Sequence, residues 1–417
     1  MRWPSHSRRA FAAAALVSVF LALLYWLDQR GWNPSLLRMA GESQQLAAYI
    51  AVAASAFVCA LAPTTWRREI LLVSALVIAP LVLGAWSLLV FAFVAFVIGV
   101  ARAPGSVPLR IAIVGVAWAA LPVARVYWLG TDAQVATILV MMLWTGQLYS
   151  AIYLIVERAR EPEAERTTAR SDAFYLLAPP RLIVPFFQPI SPRQLAAAIR
   201  PEMPLSLLKR SAGLAGYALL VAVATPQLGV LAERQAYYAV EVAITFVHVY
   251  ARMTFTIFLA IALFRLLGFN LRSGFDAPFL SRSFAEFFRR FNYYVRDAVL
   301  SLFYYPLLGH LRTKFSPRVA TIISAYVAIL VGSFLLHDVL VPMSLTIAPH
   351  DPLRYYLDPV RVAGFFVLWT LIIVPTAGIA PTRPPPMSRT KAILAIALFN
   401  VVYFALWYAQ HVGRGHW

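Results

Sequence analysis

His337 is the residue best placed by type to take a proton at neutral pH, because an unperturbed imidazole titrates near about 6.5. It lies in the stretch GSFLLHDVLVP, inside an otherwise apolar run over 319–341. Stepping back four and then seven residues reaches Ser333 and Tyr326, and stepping on seven reaches Ser344. On a helix these groups share one strip. An imidazole in such a run faces the protein interior or a wet cavity. It serves there as a base or as a hydrogen-bonded link between helices, and the spacing leaves both open. A second strip is formed by Glu241, Thr245, His248 and Arg252, at spacings of four, three and four. Its ends are eleven residues apart, about 16 Å of helical rise, so Glu241 and Arg252 cannot pair with each other. This strip reads as a proton or ion path or as a buried structural network.

A third pattern is SFAEFFRRFNYYVRD, residues 283–297. At about 100° per residue it reads as one amphipathic helix. Phe284, Phe288, Phe291 and Val295 form the apolar stripe, and Glu286, Arg290, Tyr293 and Asp297 lie opposite. Asn292 falls on the edge of the stripe, flanked by Arg289 and Arg296. Such a helix can lie in a membrane interface with its arginines on anionic headgroups, although an amide on its buried edge needs a partner. No GxSxG elbow, Walker loop, GxGxxG fingerprint or HExxH helix occurs. With a single cysteine, Cys59, neither a disulfide framework nor a thiolate metal site is expected, and no metal is expected. The histidines at 6, 310, 350, 411 and 416 have no favourable spacing to acidic residues.

The elements that must position these groups are apolar runs. Candidates for bilayer-crossing helices of about 20 residues fall near 10–27, 46–62, 70–83, 86–101, 111–129, 135–156, 213–231, 237–264, 319–341, 360–378 and 392–411. Gly84 divides the pair between 70 and 101. With the N-terminus inside, the inner segments hold 28 of the 36 basic residues, a strong positive-inside bias. The sequence therefore predicts an all-α, multi-pass protein of the inner (plasma) membrane with eleven transmembrane helices and a cytoplasmic N-terminus. The chain is expected to form a single membrane domain, 1–417, with N-terminal helices over 1–156 and a core over 213–411. Between them, 157–212 is expected to be cytoplasmic. It opens on a charged run, ERAREPEAERTTARSD, expected to be solvated. It continues with Pro179, Pro180, Pro185, Pro189 and Pro192 among bulky apolar residues, a density that argues against a regular helix.

Composition agrees. Of 417 residues, 61% are hydrophobic and 13% charged, with a mean hydropathy of +0.72, against about 25% charged in a soluble domain. Secreted disulfide scaffolds and disordered tails are excluded. The net charge of +18 would suggest nucleic acid in a soluble chain. In a chain this apolar it is instead the sign of an inner-face bias, and no nucleic-acid partner is expected.

The order of these features resembles the membrane-bound O-acyltransferase family, which includes the D-alanyl transferase of teichoic acids and the alginate acetylase. The resemblance is carried by FYLLAPPRLIVPFFQPISPRQL, then LLGFNLRSGFDAPFLSRSFAEFFRRFNYYVRD, then the span with His337. Within the motif the matching positions are Ser283, Phe284, Phe288, Arg289, Arg290, Phe291, Asn292, Arg296 and Asp297. It implies a ring of tilted helices around a funnel. It also implies acyl transfer from a thioester to a hydroxyl, with His337 as general base and Asn292 orienting the donor or stabilising the oxyanion. Arg289 and Arg290 would meet the phosphates of the co-substrate, an acyl-CoA or acyl-carrier-protein thioester, and no cofactor would be permanently bound. Tyr293, Arg296, Asp297, Ser333, Tyr326, His248 and Arg252 complete the candidate substrate-binding set. The expected partners are the bilayer, the donor, a hydroxyl acceptor on an envelope glycan, lipid or small molecule, and a carrier or accessory protein. Two other readings remain open: a transporter or flippase using the Glu241–His248–Arg252 strip, and a silent relative that scaffolds an envelope-synthesis complex. The phenylalanines at 288 and 291, where the family usually has tryptophan, and Asp338 after the histidine keep the last one open.

Overall fold

The computed structural model describes residues 42–61, 66–124, 135–161, 168–178, 190–199, 205–233, 269–291, 293–332 and 388–412, with scattered positions within 11–26, 240–247 and 258–267. These residues are mostly helical, and no strand occurs among them; an isolated antiparallel bridge joins Ile199 and Phe269. The all-α class expected from the sequence is what they show. The chain divides into two compact units, Met1–Leu228 with His248–Arg272, and Gly229–Val247 with Ser273–Trp417.

The first unit contains α1 (Glu42–Leu61), α2 (Arg67–Leu83), α3 (Trp86–Arg102), α4 (Val107–Ala124) and α5 (Val135–Arg160). It continues with α6 (Ala169–Leu177), α7 (Pro192–Ala198) and α8 (Leu205–Glu233), which runs into the second unit. Gly84 separates α2 from α3. Its φ of +55° is one that only glycine adopts without strain, its N–H donates to the Pro80 carbonyl at 2.9 Å, and the Ser87 hydroxyl donates to the Gly84 carbonyl at 2.7 Å.

Two expectations for 157–212 are corrected. The proline-rich stretch is helical at 192–198, because Pro192 occupies the first turn of α7, where its missing N–H has no helical partner to lose. Ser191 and Gln194 cap that helix reciprocally, at 3.1 and 3.2 Å. The charged run is also not simply solvated. Glu157 and Arg158 are buried, and Asp172 is fully buried. Asp172 lies in the first turn of α6, which is capped by the Thr168 hydroxyl. Its Oδ2 accepts from Arg102 Nε at 3.1 Å and Nη2 at 2.8 Å, and its Oδ1 accepts two bonds from Arg158. Arg158 also pairs with Glu161. Charges withdrawn from water persist only when paired and hydrogen-bonded, and this cluster satisfies that condition.

The second unit holds a loop (273–283) with a 3₁₀ turn at Pro278–Leu280, then α9 (Phe284–Arg290) and α10 (Tyr293–Val299). A π-helical turn, Leu300–Tyr304, leads into α11 (Tyr305–Leu311), followed by α12 (Pro317–Val327) and, after a gap in the described residues, α13 (Arg389–Val412). The segment 283–297 is thus two short helices and not the single amphipathic helix expected. Among the described side chains of the segment, Phe287, outside the expected apolar stripe, is the most deeply buried large one together with Tyr294. A second π stretch over 328–332 follows α12. At Gly332 a Cβ would come within 2.8 Å of the Phe303 ring, so glycine permits the close approach of the two π segments.

Among the described residues, no helix is long and apolar enough to cross a membrane. Of the eleven expected spans, those that fall within the described residues are therefore not found as crossing helices, and most of 237–264 lies outside them. The turn at Gly84 limits α2 and α3 to 17 residues each, and the runs 360–378 and 333–341 lie outside the described residues.

Removing the shared acid of the buried cluster should be severe. Asp172→Ala leaves Arg158 buried without its main partner and is expected to destabilise the fold by about 3–5 kcal/mol. Arg170→Ala, at an exposed pair 3.9 Å from Glu69, should change stability by less than about 1 kcal/mol. Thermal unfolding of the purified variants measures the difference.

Candidate active site

Ser283 starts the motif in extended backbone, and its hydroxyl accepts the Glu286 N–H at 3.2 Å. This cap turns Glu286 back along the chain. Its Oε2 accepts the Arg282 N–H at 2.9 Å and Arg282 Nε at 3.2 Å, while Oε1 accepts Arg290 Nη2 at 2.7 Å. Glu286 was expected on the open face but is only 6% exposed. The reason is that it serves two arginines and a backbone amide at once.

The interruption between α9 and α10 has an equally local cause. Phe291 closes α9 with an N–H bond to Phe287 and then turns to extended backbone. Beyond it, the ladder partners come from the preceding loop: the Arg290 carbonyl accepts the Asp276 N–H at 3.0 Å, and the Tyr293 N–H donates to the Gly274 carbonyl at 2.8 Å. Arg296 spans the break. Its Nη1 donates to the Arg289 carbonyl at 2.8 Å, and its guanidinium lies 5.3 Å from the Tyr293 ring centroid, a cation–π distance. The loop carries strain at Ala277, whose φ of +45° is unfavourable for a residue with a Cβ. The Ala277 carbonyl accepts a long bond of 3.5 Å from Arg290 Nη1.

An aromatic cluster holds this element from below. Phe287 stacks on Phe291 at 5.0 Å and meets Tyr403 at 4.7 Å and Phe399 at 5.4 Å, and Phe275 meets Phe291 edge-on at 5.1 Å. Asn400 of α13 donates to the Phe279 carbonyl at 2.9 Å. Offset and edge-to-face pairs of this kind fix orientation as well as burying area.

Arg289, Arg290, Tyr293, Arg296 and Asp297 are therefore brought together on α9 and α10, each partly exposed. Tyr326 lies on another helix, α12, on the side that also exposes Ile322. Asn292, Ser333, His337, His248 and Arg252 lie outside the described residues, and Glu241 is half-buried. No protein-family model matches the chain, and no curated protein matches it. Among the described residues, no group of histidine, cysteine and acidic side chains could hold a metal ion.

The sequence reading missed a second polar site. A cavity of about 100 Å³ in the first unit is lined by Arg68, Glu157, Arg158, Glu161 and Arg193, among others. Burial pushes the Glu157 carboxyl above its ordinary value, against the opposing pull of the Arg193 N–H and guanidinium and of Ser191. The caps at Thr168 and Ser191 were the available signal, but nothing local ties them to Arg102 or Arg68.

Glu286 behaves oppositely. Burial alone would raise its carboxyl, but the Arg282 amide, the Arg282 guanidinium and Arg290 outweigh that and hold it below 4.5. A depressed folded value means that the stabilisation is present above the unfolded pKa and is lost as pH falls through the folded one. Wild-type protein should therefore lose stability on acidification below about pH 4.5 more steeply than Glu286→Gln. At pH 7 that variant should be less stable by about 1.5–3 kcal/mol, the range for hydrogen bonds to charged groups. Denaturant unfolding at a series of pH values measures both.

Proposed function

We propose that this chain is a membrane-embedded O-acyltransferase that moves an acyl group from a cytoplasmic thioester to a hydroxyl of an envelope glycan, lipid or small molecule. The observation that carries the reading is the build of the Arg-Arg segment. An interfacial helix lying on lipid would be continuous and would leave its arginines to headgroups. Here the segment is broken after Phe291, tied to the 274–276 loop on both sides of the break, and braced by Arg296 and Glu286. Rigid support of this sort suits residues that must hold a reacting group in place.

Membrane embedding is supported by the mean hydropathy of +0.72 and by apolar side chains turned outward. Along α13, Ile393, Leu394, Leu398 and Val401 are 58–65% exposed, while Phe399 is buried and packs with Tyr403 against the motif. Apolar surface of this extent on a helix fits acyl chains better than water. Helices α2 and α3 rise about 26 Å each, near the lower limit for a hydrocarbon core of about 30 Å, and suit a site where the bilayer is thinned.

In the proposed reaction His337 takes the proton of the acceptor hydroxyl as its oxygen attacks the thioester carbonyl. Asn292 donates a hydrogen bond to the developing oxyanion. Collapse of the tetrahedral intermediate breaks the C–S bond, and the leaving thiolate recovers the proton from His337. Arg289 and Arg290, both partly exposed, would receive the donor phosphates; guanidinium groups bind them in a planar, two-point fashion. Comparing envelope glycans, lipids and secreted metabolites by mass spectrometry tests the reading. His337→Ala should lower the acylated product by about 10²–10⁴-fold at unchanged protein level, and Asn292→Ala should lower it less. Product persisting in His337→Ala would overturn the assignment.

A further inference from the structure

The turn between α11 and α12 places a ring of cations at the foot of an apolar helix face. Arg312, Lys314 and Arg318 are all exposed, and no acidic residue occurs between Asp297 and Asp338. The turn is a defined structure. The N–H groups of Arg312, Lys314 and Phe315 donate to the carbonyls of Leu308 and Leu311 at 2.9–3.0 Å, and the Thr313 hydroxyl donates to the His310 carbonyl at 2.7 Å. Onward from it, Phe315, Val319 and Ile322 follow at spacings of four and three and are 47%, 42% and 54% exposed. Ala320 and Ser324 are buried on the opposite side of α12.

We propose that this turn and the outer face of α12 bind an anionic glycerophospholipid, with its phosphate on Arg312, Lys314 and Arg318 and an acyl chain along Phe315, Val319 and Ile322. Two unfavourable features are relieved by this one occupant. Three neighbouring cations, with no acid between Asp297 and Asp338 in the sequence, repel one another, and an anionic headgroup relieves that repulsion. The apolar stripe extends about 10 Å from the collar, enough to cover the upper half of an acyl chain. A soluble phosphate would satisfy the collar and leave the stripe in water. The inference rests on the membrane embedding proposed above, and it names a lipid class and a place for it.

Purified full-length chain in detergent, exposed to phosphatidylglycerol or phosphatidylcholine and re-isolated, gives the test through the lipid it retains. Wild-type protein should keep phosphatidylglycerol over phosphatidylcholine by tenfold or more. The triple variant R312Q/K314Q/R318Q should lose that preference, R312K/R318K should keep it, and R389Q/K391Q, which removes exposed cations elsewhere, should also keep it. Equal retention of the two lipids by the wild type, undiminished retention by the triple variant, or full displacement by inorganic phosphate would overturn the proposal. Alkaline extraction of native membranes separates the two levels. Release of the chain into the supernatant would overturn the membrane reading along with the lipid site, whereas a chain that stays in the membrane but shows no lipid preference loses the lipid site alone.

Discussion

One carboxylate shared between two guanidiniums is the interaction on which both units depend. With 36 basic and 18 acidic residues, the chain has one acid for every two cations, and its ion pairs share acids accordingly. Asp172 serves Arg102 and Arg158 in the first unit, and Glu286 serves Arg282 and Arg290 in the second. A carboxylate has about four lone-pair sites, so two arginines and a backbone amide can be satisfied by one group without leaving a buried oxygen idle. The arrangement leaves an excess of positive charge. In the first unit Glu161 takes up part of it through Arg158. In the second, Arg290 keeps part of its surface exposed, where a proposed anionic donor would add the missing charge.

The backbone irregularities of the second unit cluster along one stretch: the break after Phe291, the π turn at Leu300–Tyr304 and the π stretch over 328–332. Such insertions in a helical ladder are favoured where side chains must be re-aimed at a site. The two π segments lie in the sequence between the groups assigned to catalysis in the proposed reaction, Asn292 and His337, and Gly332 permits the tight contact between those segments. The same stretch carries the exposed apolar face of α12, so the outward surface of the helix and the packed interior are fixed by one set of backbone bonds.

The helical class, the boundary at Gly84 and the identity of the aromatic and arginine-rich segment were legible in the amino-acid order, because each rests on local rules. These are apolar runs at helical length, the breaking of a helical run by glycine, and helical periodicity. The burial of Glu286 was not legible. A helical wheel places Glu286 on the polar face, but a wheel assumes an unbroken helix. The break at 291 follows from hydrogen bonds to Gly274 and Asp276, some sixteen residues upstream. The charged run after α5 misled for the same reason. In sequence it has every mark of a solvated linker, and the burial of Asp172 at its end depends on Arg102, seventy residues away.

The sequence alone therefore determined what kinds of groups this protein has to place: a histidine and an amide in apolar surroundings, arginines in excess, and helices with one greasy face. Local propensity and periodicity suffice for that, since they are set by neighbours within a turn or two. Only the tertiary structure decided which arginines share an acid, where the motif bends, and which side of α12 and α13 is left bare. Those outcomes depend on contacts between residues far apart in the chain, and the energy of desolvating a charge is set by whatever packing happens to surround it.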